Sequence, residues 1–523
     1  MRKYLVTIIG LFLALSAQAC FGIEAKDKDL FAKLEKMSAQ YFEKNDYDGL
    51  YAELSGLSIK ELSSSAEVYY FLALTRQKEI ASWRAMKNWE GVYDKAENIK
   101  KSISANLNEA QTLAKGNAGL IFDIKYLKWQ SIKDDDPDAA RELFNDLVKS
   151  AEAVEAGPEM LDKIKAAADE LSKLQDKNLS RRLYEIYVAR LSNSNLPKEK
   201  IKAQAEGFLE EGSGYLAKSL FDVYLNQLAD DKVAQAKEMV SVAGKFAHSG
   251  WKEGLDPIYA ESMYKKAFDL AGIPAFDSAS AYQRAFNLER LKEYPAASDE
   301  YRNLLASFPD TAQKAEIYFR IGVIAAYAAK DIDKAYEYFS KIKDEFPKTP
   351  YFLSSLYQSG LLYQWKQELD QAKENYDLLL KYAQDEGVDI QKTELALLAQ
   401  ERLKEIEEKK EIKYGLRLFL EGTFKSGIES GPSSLSVDLT GRAAKGNIGK
   451  PVVFVVTTSN SQTGCMTPAY SYEWSGEVGT LSNIPNSPEI TTDFPEAGIK
   501  VTHVAVVGNQ GAEGVGFEMI QKE

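Results

Sequence analysis

Residues 297–309 read Ala-Ser-Asp-Glu-Tyr-Arg-Asn-Leu-Leu-Ala-Ser-Phe-Pro, and residues 335–347 read Ala-Tyr-Glu-Tyr-Phe-Ser-Lys-Ile-Lys-Asp-Glu-Phe-Pro. Ala297, Tyr301, Leu304 and Pro309 therefore recur as Ala335, Phe339, Ile342 and Pro347. A third copy, Ala372, Tyr376 and Leu379, lacks the proline. The alanines stand 38 and 37 residues apart, a period that marks one helical supersecondary unit repeated along the chain. Twelve residues before Ala297 and Ala372, and thirteen before Ala335, stand the small residues Ala285, Gly360 and Gly322. Two helices approach closely only where small side chains meet. The spacing thus predicts Gly322 facing Ala335, with the aromatic one turn later filling the gap toward the next unit. Pro309 and Pro347 end each second helix, because proline cannot continue one.

The second-helix core also recurs upstream, as Ala140/Phe144/Leu147, Ala217/Phe221/Tyr224 and Ala260/Tyr264/Ala267. Asp46-Tyr47-Asp48 before Leu50 predicts an inter-helix turn in a first, diverged copy. Six copies of one spacing predict a helical solenoid over about 25–410. Thr393 to Lys410, with alternating leucine and charged blocks, predicts its polar capping helix.

These residues resemble tetratricopeptide repeats, clearly over 278–383 and more diffusely upstream. The resemblance implies stacked helix-turn-helix units and a protein-binding groove lined by first-helix positions. Here those are Tyr282, Phe286, Glu289 and Arg290, then Phe319, Arg320 and Tyr327, then Tyr357, Gln364 and Trp365. The endings Phe308-Pro309 and Phe346-Pro347 are similar to those of outer-membrane lipoproteins and periplasmic coordinators of envelope assembly.

Composition changes after Lys413. From Gly427 onward Gly, Ser, Thr and Val dominate, and short β-branched runs replace the helical period. Val452–Val456 reads as a strand buried on both faces, whereas Lys500–Val507 alternates around Val501 and Val504. About 95 residues of this kind predict a small β-sandwich. Tyr472-Glu-Trp474-Ser-Gly476 and Phe494 to Gly511 resemble the polycystic-kidney-disease type of immunoglobulin-like domain, although the Gly-Asp-Gly usual after the tryptophan strand is missing. The resemblance implies that Trp474 packs in the sandwich core. The expected fold class is mainly α, a repeat solenoid followed by an all-β sandwich. Its segments are 1–19 (leader), 20–277 (diverged repeats), 278–413 (clear repeats and cap) and 427–523 (sandwich).

The leader is read from Arg2 and Lys3, the apolar run Leu5–Leu15, and Ser16-Ala17-Gln18-Ala19-Cys20. Ala17-Gln18-Ala19 fits ordinary signal cleavage. Cys20 resembles the lipidated first residue of a bacterial lipoprotein, and Phe21 after it implies the outer membrane. Both processing readings stay open: an outer-membrane lipoprotein facing the periplasm, or a soluble periplasmic protein. Loss of the leader changes the net charge from −13 to −15, which argues against nucleic acid as a partner and leaves no polybasic stretch to hold a membrane.

Two histidines, His248 and His503, and two cysteines, Cys20 and Cys465, cannot make a closed His/Cys zinc site. Cys465 is expected as a free thiol, with pairing between chains or to an unmodified Cys20 as alternatives. His248 has no Gly-x-Ser-x-Gly elbow to serve. Gly446 to Pro451 lacks the spacing and the Ser/Thr of a phosphate loop. Asp134-Asp135-Asp136-Pro137 reads as a helix start, since Ala139 and Asn145 occupy the sixth and twelfth places of a calcium loop. No catalytic residue, cofactor or metal is expected. The sequence therefore points to a non-enzymatic envelope scaffold that binds a protein or peptide. The alternative is a glycan-binding surface protein, which requires Tyr472 and Trp474 to be exposed.

Overall fold

The structure is a computed structural model that describes residues 30–59, 64–85, 92–153, 158–173, 177–191, 197–228, 231–247, 255–385, 393–425, 435–442, 445–460, 470–481, 485–508 and 511–523. Among these, twenty α-helices precede seven strands. The chain divides into two compact units, 1–205 with 218–223, and 206–217 with 224–523. The leader, Cys20, His248 and Cys465 lie outside the described residues.

In the first unit, α1 (Leu30–Glu43), α2 (Tyr47–Ile59), α3 (Ala66–Arg84), α4 (Tyr93–Leu113), α5 (Ala118–Ile132), α6 (Pro137–Ala153), α7 (Pro158–Lys173) and α8 (Lys177–Leu191) pack against their chain neighbours. Each buries an apolar stripe. Leu34, Met37, Leu50, Leu54 and Phe71 form one cluster, and Ile103, Leu107, Leu120 and Ile124 belong to another. The turn expected at Asp46 is present, with Asn45 left-handed (φ 55°) and the Asp46 carboxylate accepting the Gly49 N–H at 3.0 Å. Asp136 likewise accepts the Ala139 N–H at 3.1 Å, so the acidic run starts α6 at Pro137. Helices α9 (Lys198–Glu210) and α10 (Gly214–Asn226) straddle the division.

The second unit continues with α11 (Lys232–Phe246), α12 (Pro257–Ala271), α13 (Ser278–Arg290), α14 (Tyr294–Ser307), α15 (Lys314–Val323), α16 (Ile332–Glu345), α17 (Pro350–Trp365), α18 (Leu369–Asp385), α19 (Glu394–Glu407) and α20 (Tyr414–Phe424). The clear repeats are the hairpins α13/α14, α15/α16 and α17/α18. Their turns share one device: Lys292, Lys330 and Gln367 are left-handed, at φ 62°, 59° and 64°. In the first and third, the N–H three residues beyond the helix reaches back five residues, from Glu293 to Leu288 and from Glu368 to Tyr363, in a Schellman closure.

The middle turn closes differently, because Asp331 bonds to Ala325, six residues back. Ile324–Ala328 is a π-helical turn at the end of α15. The thirteenth residue counted between Gly322 and Ala335 is absorbed there, as a bulge that keeps both helices in phase. The expected meeting of Gly322 with Ala335 is corrected in detail. A side chain at Gly322 would collide with the Phe339 ring, and one at Gly360 would come 2.6 Å from the Tyr376 ring. The glycines make room for the aromatics, and the alanines lie one turn away.

The helices do not stop at the expected cap. α19 buries Leu395, Ala396, Ala399, Arg402 and Ile406, and α20 follows it. The sandwich then forms from β1 (Leu435–Gly441), β2 (Lys445–Gly446), β3 (Val452–Asn460), β4 (Ser471–Gly476), β5 (Glu489–Thr492), β6 (Gly498–Gly508) and β7 (Gly511–Lys522). One sheet has the order β1-β3-β5 and the other β2-β7-β6-β4; all pairs are antiparallel except β2 with β7. Leu439, Phe454, Trp474, Phe494, Val504 and Ile520 fill the space between them.

The two strands singled out from sequence exchange roles. β3 alternates, with Val452, Phe454 and Val456 buried and Val453 and Val455 partly exposed. β6 is buried on both faces from Gly498 to Val506. Its second face, with that of β7, packs on helices. Ile499, Val501, Phe517 and Met519 belong to the same apolar cluster as Tyr282, Phe319, Tyr327, Tyr357 and Phe419.

Candidate functional site

The first helices of the three clear repeats, α13, α15 with its π turn, and α17, carry the ten residues expected to line a groove. The groove is not open, however. The chain's own four-stranded sheet and α20 lie against it, and all ten residues except Trp365 are buried.

Arg320, with 0 % of its side chain exposed, organises the middle of the site. It donates to Glu289 at 2.6 Å, Glu316 at 2.9 Å and Gln521 of β7 at 3.0 Å, while its guanidinium lies 4.9 Å from the centre of the Phe286 ring. Tyr301 donates to Glu289 at 3.0 Å and Tyr282 to Glu316, so both acids have several donors. Burial works against the charge of Arg320, but Glu289 and Glu316 outweigh it and hold its pKa well above the ordinary value. Phe319 packs at a tilt on Phe339 and Tyr351, with ring centres 5.8 and 6.3 Å apart.

At one end, Arg290 and Lys292 both engage the buried Glu518, Lys292 at 2.6 Å. Arg290 also donates to the Gly441 carbonyl at 3.1 Å, and Lys292 to the Leu439 carbonyl at 2.9 Å. Burial opposes ionisation of Glu518, but these two cations prevail and hold its carboxyl below the usual range. The left-handed turn at Lys292 brings that lysine to the sheet.

The π turn sets the centre. Tyr327 lies within it and meets Phe419 at 5.3 Å, His503 at 5.1 Å and Phe517 at 5.8 Å, while its hydroxyl donates to Gln358. His503 stacks flat on Phe419 at 4.0 Å, is 0 % exposed, and has neither ring nitrogen hydrogen-bonded. Burial lowers its pKa to about 3, so it is neutral.

At the other end, Tyr357 packs on Tyr376 at 6.1 Å, and Gln364 bridges Tyr376 (3.1 Å) to Glu405 (3.2 Å). Trp365 is half-buried beside Phe424 at 5.9 Å. The first residue of α19, Glu394, accepts the N–H groups of Val478 (2.7 Å) and Gly479 (2.8 Å). Beside it, Glu477 accepts the Val501 N–H at 3.0 Å and pairs with the buried Lys500 at 3.2 Å. Burial, then the adjacent Glu477, pushes the Glu394 carboxyl up to about 7.

Sequence reasoning named the helix side of this site and none of its other half: Phe419, Glu477, Lys500, His503, Phe517, Glu518 and Gln521. One signal was readable, because 499–506 carries apolar residues at both parities, with Ile499, Val501 and Ala505 on one and Val504 and Val506 on the other. Trp474 is buried and donates from its indole nitrogen to Ser487 at 3.0 Å, while Tyr472 is half-buried. Among the described residues no His/Cys/Asp/Glu group could hold a metal ion, and no helix is long and apolar enough to cross a membrane.

A tetratricopeptide repeat model matches residues 316–349. That match covers α15, its π turn and α16, the hairpin at the centre of the site. Among solved structures, the chain is similar to the TPR domain of P58(IPK), at 13% identity over 72% of this chain and 98% of that one, with a TM-score of 0.21. It is also similar to the Cut9 and Hcn1 hetero-tetramer of APC/C (14%, 77% and 89%, TM-score 0.19) and to a circular tandem repeat protein (13%, 72% and 82%, TM-score 0.19). No curated protein matches the sequence.

Proposed function

We propose that this chain is a non-enzymatic protein-binding scaffold of the bacterial cell envelope, whose repeat groove holds the C-terminal sandwich as its resident partner. One observation carries the reading: the aromatic and charged first-helix positions are met by a matching face of β6 and β7, with Tyr327 against Phe517 at its centre. A groove filled in this way leaves an envelope protein or peptide to be recognised by the assembled surface of repeats and sandwich. The buried, unbonded ring of His503 is no setting for proton transfer, which supports a role without chemistry. The burial of Trp474 weighs against glycan capture by that residue and accords with a core tryptophan of the polycystic-kidney-disease type.

The envelope assignment rests on the leader pattern from Arg2 to Cys20. In this reading the protein is exported and either held at the outer membrane through a lipid on Cys20 or free in the periplasm. Palmitate labelling of wild type and Cys20→Ser tests the anchor, and a label that persists in the variant removes it. A double-mutant cycle on Tyr327→Ala and Phe517→Ala tests the groove. Coupling of about 0.5–1.5 kcal/mol is expected for an aromatic pair, and strict additivity would overturn the docking.

A further inference from the structure

Glu394 occupies an unusual position. It begins α19, yet both of its hydrogen bonds go to the sandwich, to the backbone of the turn at Val478 and Gly479. One oxygen takes both bonds, and the other is buried without a partner. A carboxylate spreads its charge over both oxygens, and in this dry setting the second meets no donor, so burial disfavours the ionised form. The neighbouring charges are also out of balance. Lys500 from β6 is a cation beside this cluster, and it is already paired with Glu477 at 3.2 Å and Glu496 at 3.5 Å. From the helices, α17 presents the Tyr357 hydroxyl, which has no hydrogen-bond partner. Further along α19, Arg402 is paired with Glu401 and Glu405, each at 3.0 Å.

We propose that Glu394 is a proton-controlled clasp: protonated, it holds the 476–480 turn of the sandwich on α19, and ionised, it repels Glu477 and frees that end of the sheet. This rests on the cis docking proposed above and adds a control to it. The proton leaves the unpartnered oxygen for solvent, and the cluster then holds two buried carboxylates against one ammonium. At the other end Arg290 and Lys292 hold Glu518 below the usual carboxylate range, so it stays ionised and docked over the same range.

The sign follows from Glu394 being raised in the folded state, from 4.5 to about 7. The clasp is complete below pH 4.5 and is lost as pH rises through 7. A shift of that size corresponds to at most about a 300-fold change in the local closing equilibrium.

Hydrogen exchange of the full-length protein at pH 5 and pH 8.5, corrected for intrinsic rates, reads the clasp directly. Wild type is expected to lose protection at Val478, Gly479 and Val501 by about 100-fold or more at the higher pH, while Arg320–Tyr327 stays protected. Glu394→Gln, which keeps the acceptor and lacks the charge, is expected to hold those amides protected at both values. Glu394→Ala, which removes the bonds, is expected to expose them at both. Equal wild-type protection at both pH values, or a Glu394→Gln protein that tracks wild type, overturns the clasp and leaves the docking intact. Unprotected β6 and Arg320–Tyr327 at both pH values would overturn the docking and the clasp together.

Discussion

The two faces of β6 and β7 are packed by different means. Toward the sister sheet, Val504, Val506 and Ile520 meet Leu439, Phe454 and Ile490, an interior made almost wholly of apolar atoms. Toward the helices, Ile499, Val501, Phe517 and Met519 are interleaved with Gln521 on Arg320, while Glu518, at the edge, takes Arg290 and Lys292. Apolar packing tolerates sliding, since one aliphatic contact replaces another at little cost. A buried charge tolerates none, because moving it strands its partner. The sandwich face therefore supplies cohesion, and the helix face also dictates which turn of which helix the sheet meets.

That contrast can be broken most forcefully at Arg320. Arg320→Ala leaves Glu289 and Glu316 buried without their cation, and a loss of about 3–5 kcal/mol is expected in denaturant unfolding. A loss under 1 kcal/mol would mean that the polar network is dispensable. Gly322→Ala is next, at about 1–3 kcal/mol, because its methyl group enters the space of the Phe339 ring. Adding Phe339→Leu is expected to recover part of that loss, and a double variant no better than the single would refute the steric account.

The third test uses pH. His503 has a folded pKa of about 3 against 6.5 unfolded. Its contribution is complete above pH 6.5 and drains away as pH falls toward 3, by up to about 1.4 kcal/mol per unit. Glu394 runs the other way, from 4.5 through about 7. Between pH 4.5 and 6.5 the two slopes oppose, so His503 offsets part of the decline that Glu394 imposes there. His503→Leu should then steepen the decline in stability as pH rises over that interval, relative to wild type. An unchanged profile in the variant would show that His503 is solvated.

The mildest test belongs to the apolar face. Ile520→Val is expected to cost about 0.5–1.5 kcal/mol, with the apolar helix-facing cluster unaffected.

Much of the helix side was legible because its determinants are local. The Ala/aromatic/aliphatic spacing placed each second helix, and the one-residue surplus before Ala335 was visible before the π turn gave it a structural meaning. The first-helix positions named from the sequence lie at fixed offsets from those markers. What covers them was not, since Phe517 and Gln521 are about 200 residues distant, and apolar residues at both parities of β6 mark burial on both faces without saying what covers the second. The misreading of β3 and β6 has the same origin. A run of valines signals burial by composition alone, whereas β6 is buried on both faces while carrying Lys500, Thr502 and His503, each accommodated by a long-range neighbour.

The sheet also acts as a gauge for the array. It touches the α13/α14 turn at Lys292, α15 at Arg320 and Tyr327, and α19 at Glu394. Repeat arrays ordinarily grow or shrink by whole units, since each unit needs only its neighbours. Between Lys292 and Glu394 that freedom is gone. One hairpin more or fewer would leave either Glu518 or the Val478 turn facing the wrong helix, so the sandwich counts the repeats it spans.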